Sequence, residues 1–208
     1  MSAPAPVTED APQFLFDFGS PNAYLAHKVI PAIEARTGAR FTYVPILLGG
    51  LFKATGNSSP VQAFAAIPAK LAYMGAETRR FVARHGITDY RQNPFFPVNT
   101  LQLMRLAVAA RAEGCFEPFV EAAFHHMWSQ PKKMDDPEIC RAALAESGLD
   151  VERLWAASQT AEVKQALIAN TEDAARRGAF GAPTFFVGEE MFFGKDTLAE
   201  IEADFLRR

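Results

Sequence analysis

The chain has 208 residues, 49% of them hydrophobic and 22% charged, which is enough for one large or two small globular domains. Its formal net charge is −3 and no basic cluster stands out, which argues against nucleic acid or an anionic membrane as a partner. Its long apolar runs, such as Val44-Pro45-Ile46-Leu47-Leu48, fall far short of the roughly 20 residues that a membrane span needs.

Residues 1–12 are rich in Ala and Pro and lack both a positive n-region and an apolar h-region. They read as a short flexible tail with no secretory signal in view. Two cysteines, Cys115 and Cys140, are too few for a disulfide framework or a zinc site, so the expected compartment is reducing, the cytoplasm.

Phe14-Leu15-Phe16-Asp17-Phe18 is a β-prone run that ends at Gly19-Ser20-Pro21, where Ser suits an N-cap and Pro the first helical turn. Tyr24, Leu25, Val29, Ile30 and Ile33 then recur at helical spacing up to Gly38, with Pro31 as an expected kink. Residues 40–45 alternate as a strand, so the first 45 residues read βαβ.

From Pro60 to about Gly178 the pattern is helical, with candidate helices over 64–85, 100–113, 116–128, 136–147, 150–158 and 160–177. After Gly181-Ala182-Pro183 the period returns to strand at 184–187 and 191–193. A last helix follows over 196–208, with Asp196 as its expected N-cap. The fold class is therefore α/β: a thioredoxin-like core (βαβ…ββα), 13–59 plus 179–208, with an all-helical insertion over 60–178. Neither end alone has strands enough to bury a core.

In such a core the turn after the first strand sits at a helix N-terminus, where N–H groups and the dipole favour an anion such as a thiolate. Here it reads Ser20-Pro21-Asn22-Ala23, with Ser and Ala where a Cys-x-x-Cys would put thiols, so disulfide exchange by the protein itself is excluded. Any thiolate must come from a bound small molecule, and glutathione is the abundant candidate. Pro183, before the third strand, stands where a cis-proline would let the preceding backbone pair with an extended peptide. The plainer alternatives are that Ser20 is only a helix cap and Pro183 an ordinary turn proline.

Phe16-Asp17-Phe18-Gly19-Ser20-Pro21-Asn22-Ala23-Tyr24-Leu25-Ala26, Lys53-Ala54-Thr55-Gly56-Asn57, Phe96-Pro97-Val98-Asn99-Thr100, Phe180-Gly181-Ala182-Pro183-Thr184-Phe185 and Met191-Phe192-Phe193-Gly194-Lys195-Asp196 occur in this order. The set resembles the 2-hydroxychromene-2-carboxylate isomerase family, relatives of kappa-class glutathione transferases and, further off, of bacterial disulfide oxidoreductases. The resemblance implies a catalytic Ser20 holding a glutathione thiolate. It implies glutathione contacts from Ala182 and Pro183 and from Phe193, Gly194, Lys195 and Asp196, a substrate carboxylate contact from Lys53, an aromatic acid substrate and a homodimer. Isomerisation, transfer as in the kappa class and plain peptide binding all remain open.

Asp196 could equally be a plain cap and Lys53 a solvated lysine. Thr100 and Gln62 depart from the Tyr and Asn of naphthalene-pathway members, which leaves the substrate open. A phosphate loop fits poorly, because Gly188 to Gly194 has five intervening residues and Asp196 stands where Ser or Thr is needed. His27, His85, His125 and His126 show no metal-binding spacing. Phe64, Met74, Phe81, Phe95, Phe96, Met104, Phe124 and Trp128 suit either an apolar cleft or core packing.

Overall fold

The computed structural model describes residues 11–207. Of the tail expected over 1–12, residues 1–10 lie outside the described residues; Pro12 is buried, and its carbonyl accepts the Thr42 N–H at 2.8 Å.

Strand β1 (Gln13–Phe16) leads into α1 (Pro21–Thr37) and β2 (Thr42–Pro45), followed by α2 (Leu48–Thr55). A helical block follows: α3 (Pro60–Ala63), α4 (Pro68–Arg84), α5 (Leu101–Ala112), α6 (Phe116–Trp128), α7 (Pro137–Glu146), α8 (Val151–Ser158) and α9 (Ala161–Arg176). The chain closes with β3 (Thr184–Val187), β4 (Glu190–Phe193), a 3₁₀ turn (Lys195–Thr197) and α10 (Leu198–Arg207). One four-stranded sheet has the order β2-β1-β3-β4. In it β1 runs parallel to β2 and antiparallel to β3. This is the expected thioredoxin-like core, with two distant segments completing one sheet.

Strand alternation assigns the faces of the sheet. Phe14 and Phe16 of β1, with Phe185 and Val187 of β3, join the main core together with Phe119, Phe124, Met104 and Trp128 of the helical block. Leu15 and Phe186 point the other way, onto Ile46, Leu51, Ala174 and Ala179. Because β1 is covered on both faces, its apolar run is unbroken. Of the apolar residues that suited either role, Phe81, Met104, Phe124 and Trp128 are core, whereas Phe95 is exposed.

Four boundaries differ from the sequence reading. Strand β1 stops at Phe16, because the Asp17 side chain turns inward to take hydrogen bonds. The helix expected over 64–85 begins only at Pro68, which opens α4 and holds Ile67 out of helical geometry, and the separate short α3 precedes it. Helix α2 was not expected, because Gly49-Gly50 weakens its signal. The final α-helix begins at Leu198 and not at 196. Gly194 occupies the cap position of the 3₁₀ turn with φ +92°, and the Asp196 carboxylate is taken up by Lys195 instead of capping.

Candidate functional site

The turn after β1 is held from several sides. The Phe18 N–H meets Met104 Sδ at 3.5 Å, and the Phe18 carbonyl accepts Trp128 Nε1–H at 2.7 Å, so two residues of the helical block fix its backbone. Beneath the turn Asp17 is fully buried. Its Oδ1 accepts from Gly19 N at 2.8 Å and Thr100 Oγ1 at 2.7 Å, and its Oδ2 accepts from Leu48 N at 2.8 Å. Burial pushes the Asp17 carboxyl above its ordinary value, against the lowering effect of these three donors. Only glycine fits at 19 without displacement, since a Cβ there would stand 3.2 Å from Thr100 Cγ2 and 3.3 Å from Asp17 Oδ1.

One buried carboxylate thus ties together the Ser20 turn, the start of α2 and the residue before α5. Ser20 caps α1: its Oγ accepts the Ala23 N–H at 3.2 Å and donates to the Ala182 carbonyl at 2.8 Å, with 6% of the residue exposed. The Ala182-Pro183 peptide is cis, as is Phe96-Pro97. The Pro183 carbonyl accepts the Gly194 N–H at 2.9 Å, so Ser20, Ala182, Pro183 and Gly194 form one connected cluster. Phe193 lies at its rim, 42% exposed, its ring 4.4 Å from that of Phe180.

Lys195 turns away from this cluster. Its ammonium is buried between Glu77 and Asp196 and lies over the Phe81 ring, so only its backbone faces the turn. Asp196 is exposed; burial works to raise its carboxyl, but hydrogen bonds with Lys195 and Glu77 and the Lys195 charge bring it below its ordinary value.

Lys53 stands apart from the Ser20 cluster, in the last turn of α2, where it lines a cavity of about 370 Å³ between α2, α5 and α9. The loop after it is fastened to the cluster's approach by Asn57 Nδ2, which donates to the Phe180 carbonyl at 2.8 Å. Gln62 does not line this cavity; its N–H bonds the Ser59 hydroxyl in α3. Neither thiol belongs to the turn: burial pushes Cys140 up to about 12, and it also raises Cys115.

Asp17 was missed as a structural member of the site. The available signal was a carboxylate inside an otherwise apolar β-run, which has to find buried donors. Chemically the arrangement offers an anion site. A 17-residue helix presents its N-terminus with no acidic side chain in its first turn, and Ser20 adds a hydroxyl that can change partner.

The family described as a DSBA-like thioredoxin domain matches residues 13–205. A 2-hydroxychromene-2-carboxylate isomerase from Sphingobium xenophagum is 30% identical over 192 residues, covering 91% of this chain and 95% of the relative. The human glutathione S-transferase kappa 1 is 25% identical over 199 residues, covering 89% and 86% of the two chains. A solved structure of a 2-hydroxychromene-2-carboxylate isomerase superposes with a TM-score of 0.80 at 25% identity, covering 95% of both chains.

Proposed function

The chain belongs to the DSBA-like thioredoxin domain family and within it to the 2-hydroxychromene-2-carboxylate isomerase family, and from that premise we propose that it is a glutathione-dependent isomerase of 2-hydroxychromene-2-carboxylate-like aromatic acids. The observation that carries this reading is the Ser20 turn: an anion site with a hydroxyl donor and, at Ala23, no second thiol. Its donor set fits a thiolate, because the helix end is unopposed by any first-turn acid.

Bound glutathione would supply a thiolate that adds reversibly to an electrophilic carbon of the substrate, permits bond rotation and ring opening, and leaves unchanged. The chain's own residues do the rest. Ser20 gives up its bond to the Ala182 carbonyl and donates to sulfur, holding it ionised. The freed Ala182 carbonyl is then open to an N–H of the peptide, in the manner of an added strand. Backbone groups of Phe193, Gly194, Lys195 and Asp196 hold the rest of the peptide, with the buried Lys195 side chain fixing the shape of their turn. Lys53 faces the substrate carboxylate. The enzyme acts as a homodimer in the cytoplasm, where glutathione is abundant.

Glutathione accounting tests this reading. Turnover of a hydroxychromene carboxylate without loss of free thiol is the expected result. Stoichiometric thiol loss would make the protein a kappa-like transferase, and absence of glutathione binding would leave a peptide-binding module.

A further inference from the structure

The cavity that Lys53 lines carries more charge than one carboxylate contact requires. Its walls are apolar: Leu47 from the start of α2, Leu101 from α5, and Leu167 and Ile168 from α9. Two more cations join Lys53 there, Arg105 from α5 and Lys164 from α9, against a single carboxylate, Glu172. Among the described residues none of these four takes part in an ion pair. Elsewhere Lys28, Arg36, Lys132, Arg141 and Arg153 all do. Three like charges from three helices around one apolar space, with an excess of two positive charges, make a field that favours an anionic occupant.

The placement is directional. Leu101 follows Thr100, the donor to Asp17, and the Thr171 hydroxyl accepts the Leu47 N–H at 3.0 Å, so these residues mark the side of the cavity next to the Ser20 turn. Arg105 lies one helical turn beyond Leu101, and Lys164 lies seven residues before Thr171, roughly 10 Å along the axis of α9. Lys53 lies the other way, since α2 runs in the same sense as α9: Leu47 meets Thr171 and, further along, Asn57 reaches Phe180. Lys53 and Lys164 thus stand on opposite sides of the Leu47–Thr171 contact, with Leu101, Leu167 and Ile168 lining the space they share with Arg105. A volume of about 370 Å³ is within the range of small-molecule sites.

We infer that Arg105 and Lys164 form, with Lys53, a cationic rim that selects an aromatic substrate bearing two anionic groups, an aromatic dicarboxylate, over its monoanionic counterpart. One carboxylate is met by Lys53, while the second lies between Arg105, whose fork matches a carboxylate in two bonds, and Lys164. The inference rests on the reading of this cavity as the substrate site of the proposed isomerase.

Binding measured by calorimetry without glutathione tests it, with naphthalene-1,4-dicarboxylate and 1-naphthoate as probes. The dianion should bind at least tenfold more tightly at low salt. Arg105→Gln and Lys164→Gln should each cut that preference several-fold and leave 1-naphthoate affinity within about twofold, while Lys70→Gln on α4 should change neither. Equal affinity for the two probes, or a preference that survives both substitutions, overturns the rim. If Arg105→Gln fails to fold, Lys164→Gln alone decides. The rim and the isomerase fail separately: a dianion preference without glutathione-dependent turnover refutes only the activity, and turnover without the preference refutes only the rim.

Discussion

Thr100→Val removes one hydroxyl and almost no volume from the most constrained point beneath the site. The Thr100 hydroxyl donates to Asp17 Oδ1 at 2.7 Å in a fully buried setting, and after the change Oδ1 keeps only the Gly19 N–H while Oδ2 keeps the Leu48 N–H. A hydrogen bond to a charged group contributes about 1.5–3 kcal/mol, so the variant should lose about 2 kcal/mol wherever Asp17 is ionised. In a chain of this size that is about 4–8 °C in Tm. The bond favours the ionised form, so its loss raises the folded-state midpoint of Asp17 further. Burial already holds that midpoint above its ordinary value, and the cost of the substitution should therefore shrink as pH falls through it. Urea unfolding of both proteins at pH 8 and pH 4.5 measures this. A loss below about 0.5 kcal/mol at pH 8, or the same loss at both pH values, would refute the role given to Asp17 as an ionised hub.

Lys53→Ala should raise KM for an anionic aromatic substrate by about ten- to a hundredfold, as expected for one lost charge-assisted contact, with glutathione Kd nearly unchanged. Steady-state kinetics with both ligands varied decides it, and an equal loss for glutathione would put Lys53 in the wrong subsite. His126 is buried, and burial first, then the nearby Lys132, holds it down to about 4; its folded value is thus depressed below that of the unfolded chain. Its contribution is therefore fully present above pH 6.5 and lost as pH falls toward 4, about 2–4 kcal/mol in all, and His126→Gln should flatten that part of the stability profile. In Gly181→Ala the new Cβ would stand 2.8 Å from Phe193 Cε2, so the half-exposed Phe193 ring must swing aside, at a cost of about 1 kcal/mol in thermal unfolding.

Wherever a short-range pattern sufficed, the fold was legible. The β1 run, the Ser-Pro start of α1 and the return to period two at Thr184 all lie in contiguous residues, and they placed the core and the Ser20 turn. What stayed hidden depends on partners distant in the chain. Helix α2 has no capping side chain of its own; Leu48 N is taken by Asp17, 31 residues earlier, so the sequence around Gly49-Gly50 reads as a break. Nothing in the residues around Lys195 signals its burial, whereas Glu77, 118 residues away, draws it into the interior. Arg105 and Lys164 look like ordinary solvated positions on helices, and only the packing of α2, α5 and α9 around one cavity makes them a set.

In the proposed reaction Ser20 keeps a bound thiol ionised and does not itself attack substrate. A free thiol of the cysteine type has a pKa near 8.5, so about 3% is ionised at pH 7; a helix N-terminus with one hydroxyl donor should lower it by about one to two pH units. Thiolate absorbance of enzyme-bound glutathione, titrated in the wild type and in Ser20→Ala, measures that shift directly. Ser20→Ala should show a higher thiol pKa, with turnover cut about ten- to a thousandfold, the order expected for losing one anion donor, and no rescue by Ser20→Cys, whose mixed disulfide Ala23 cannot resolve. An unchanged thiol pKa with full activity in Ser20→Ala would contradict it and leave Ser20 as the cap of α1.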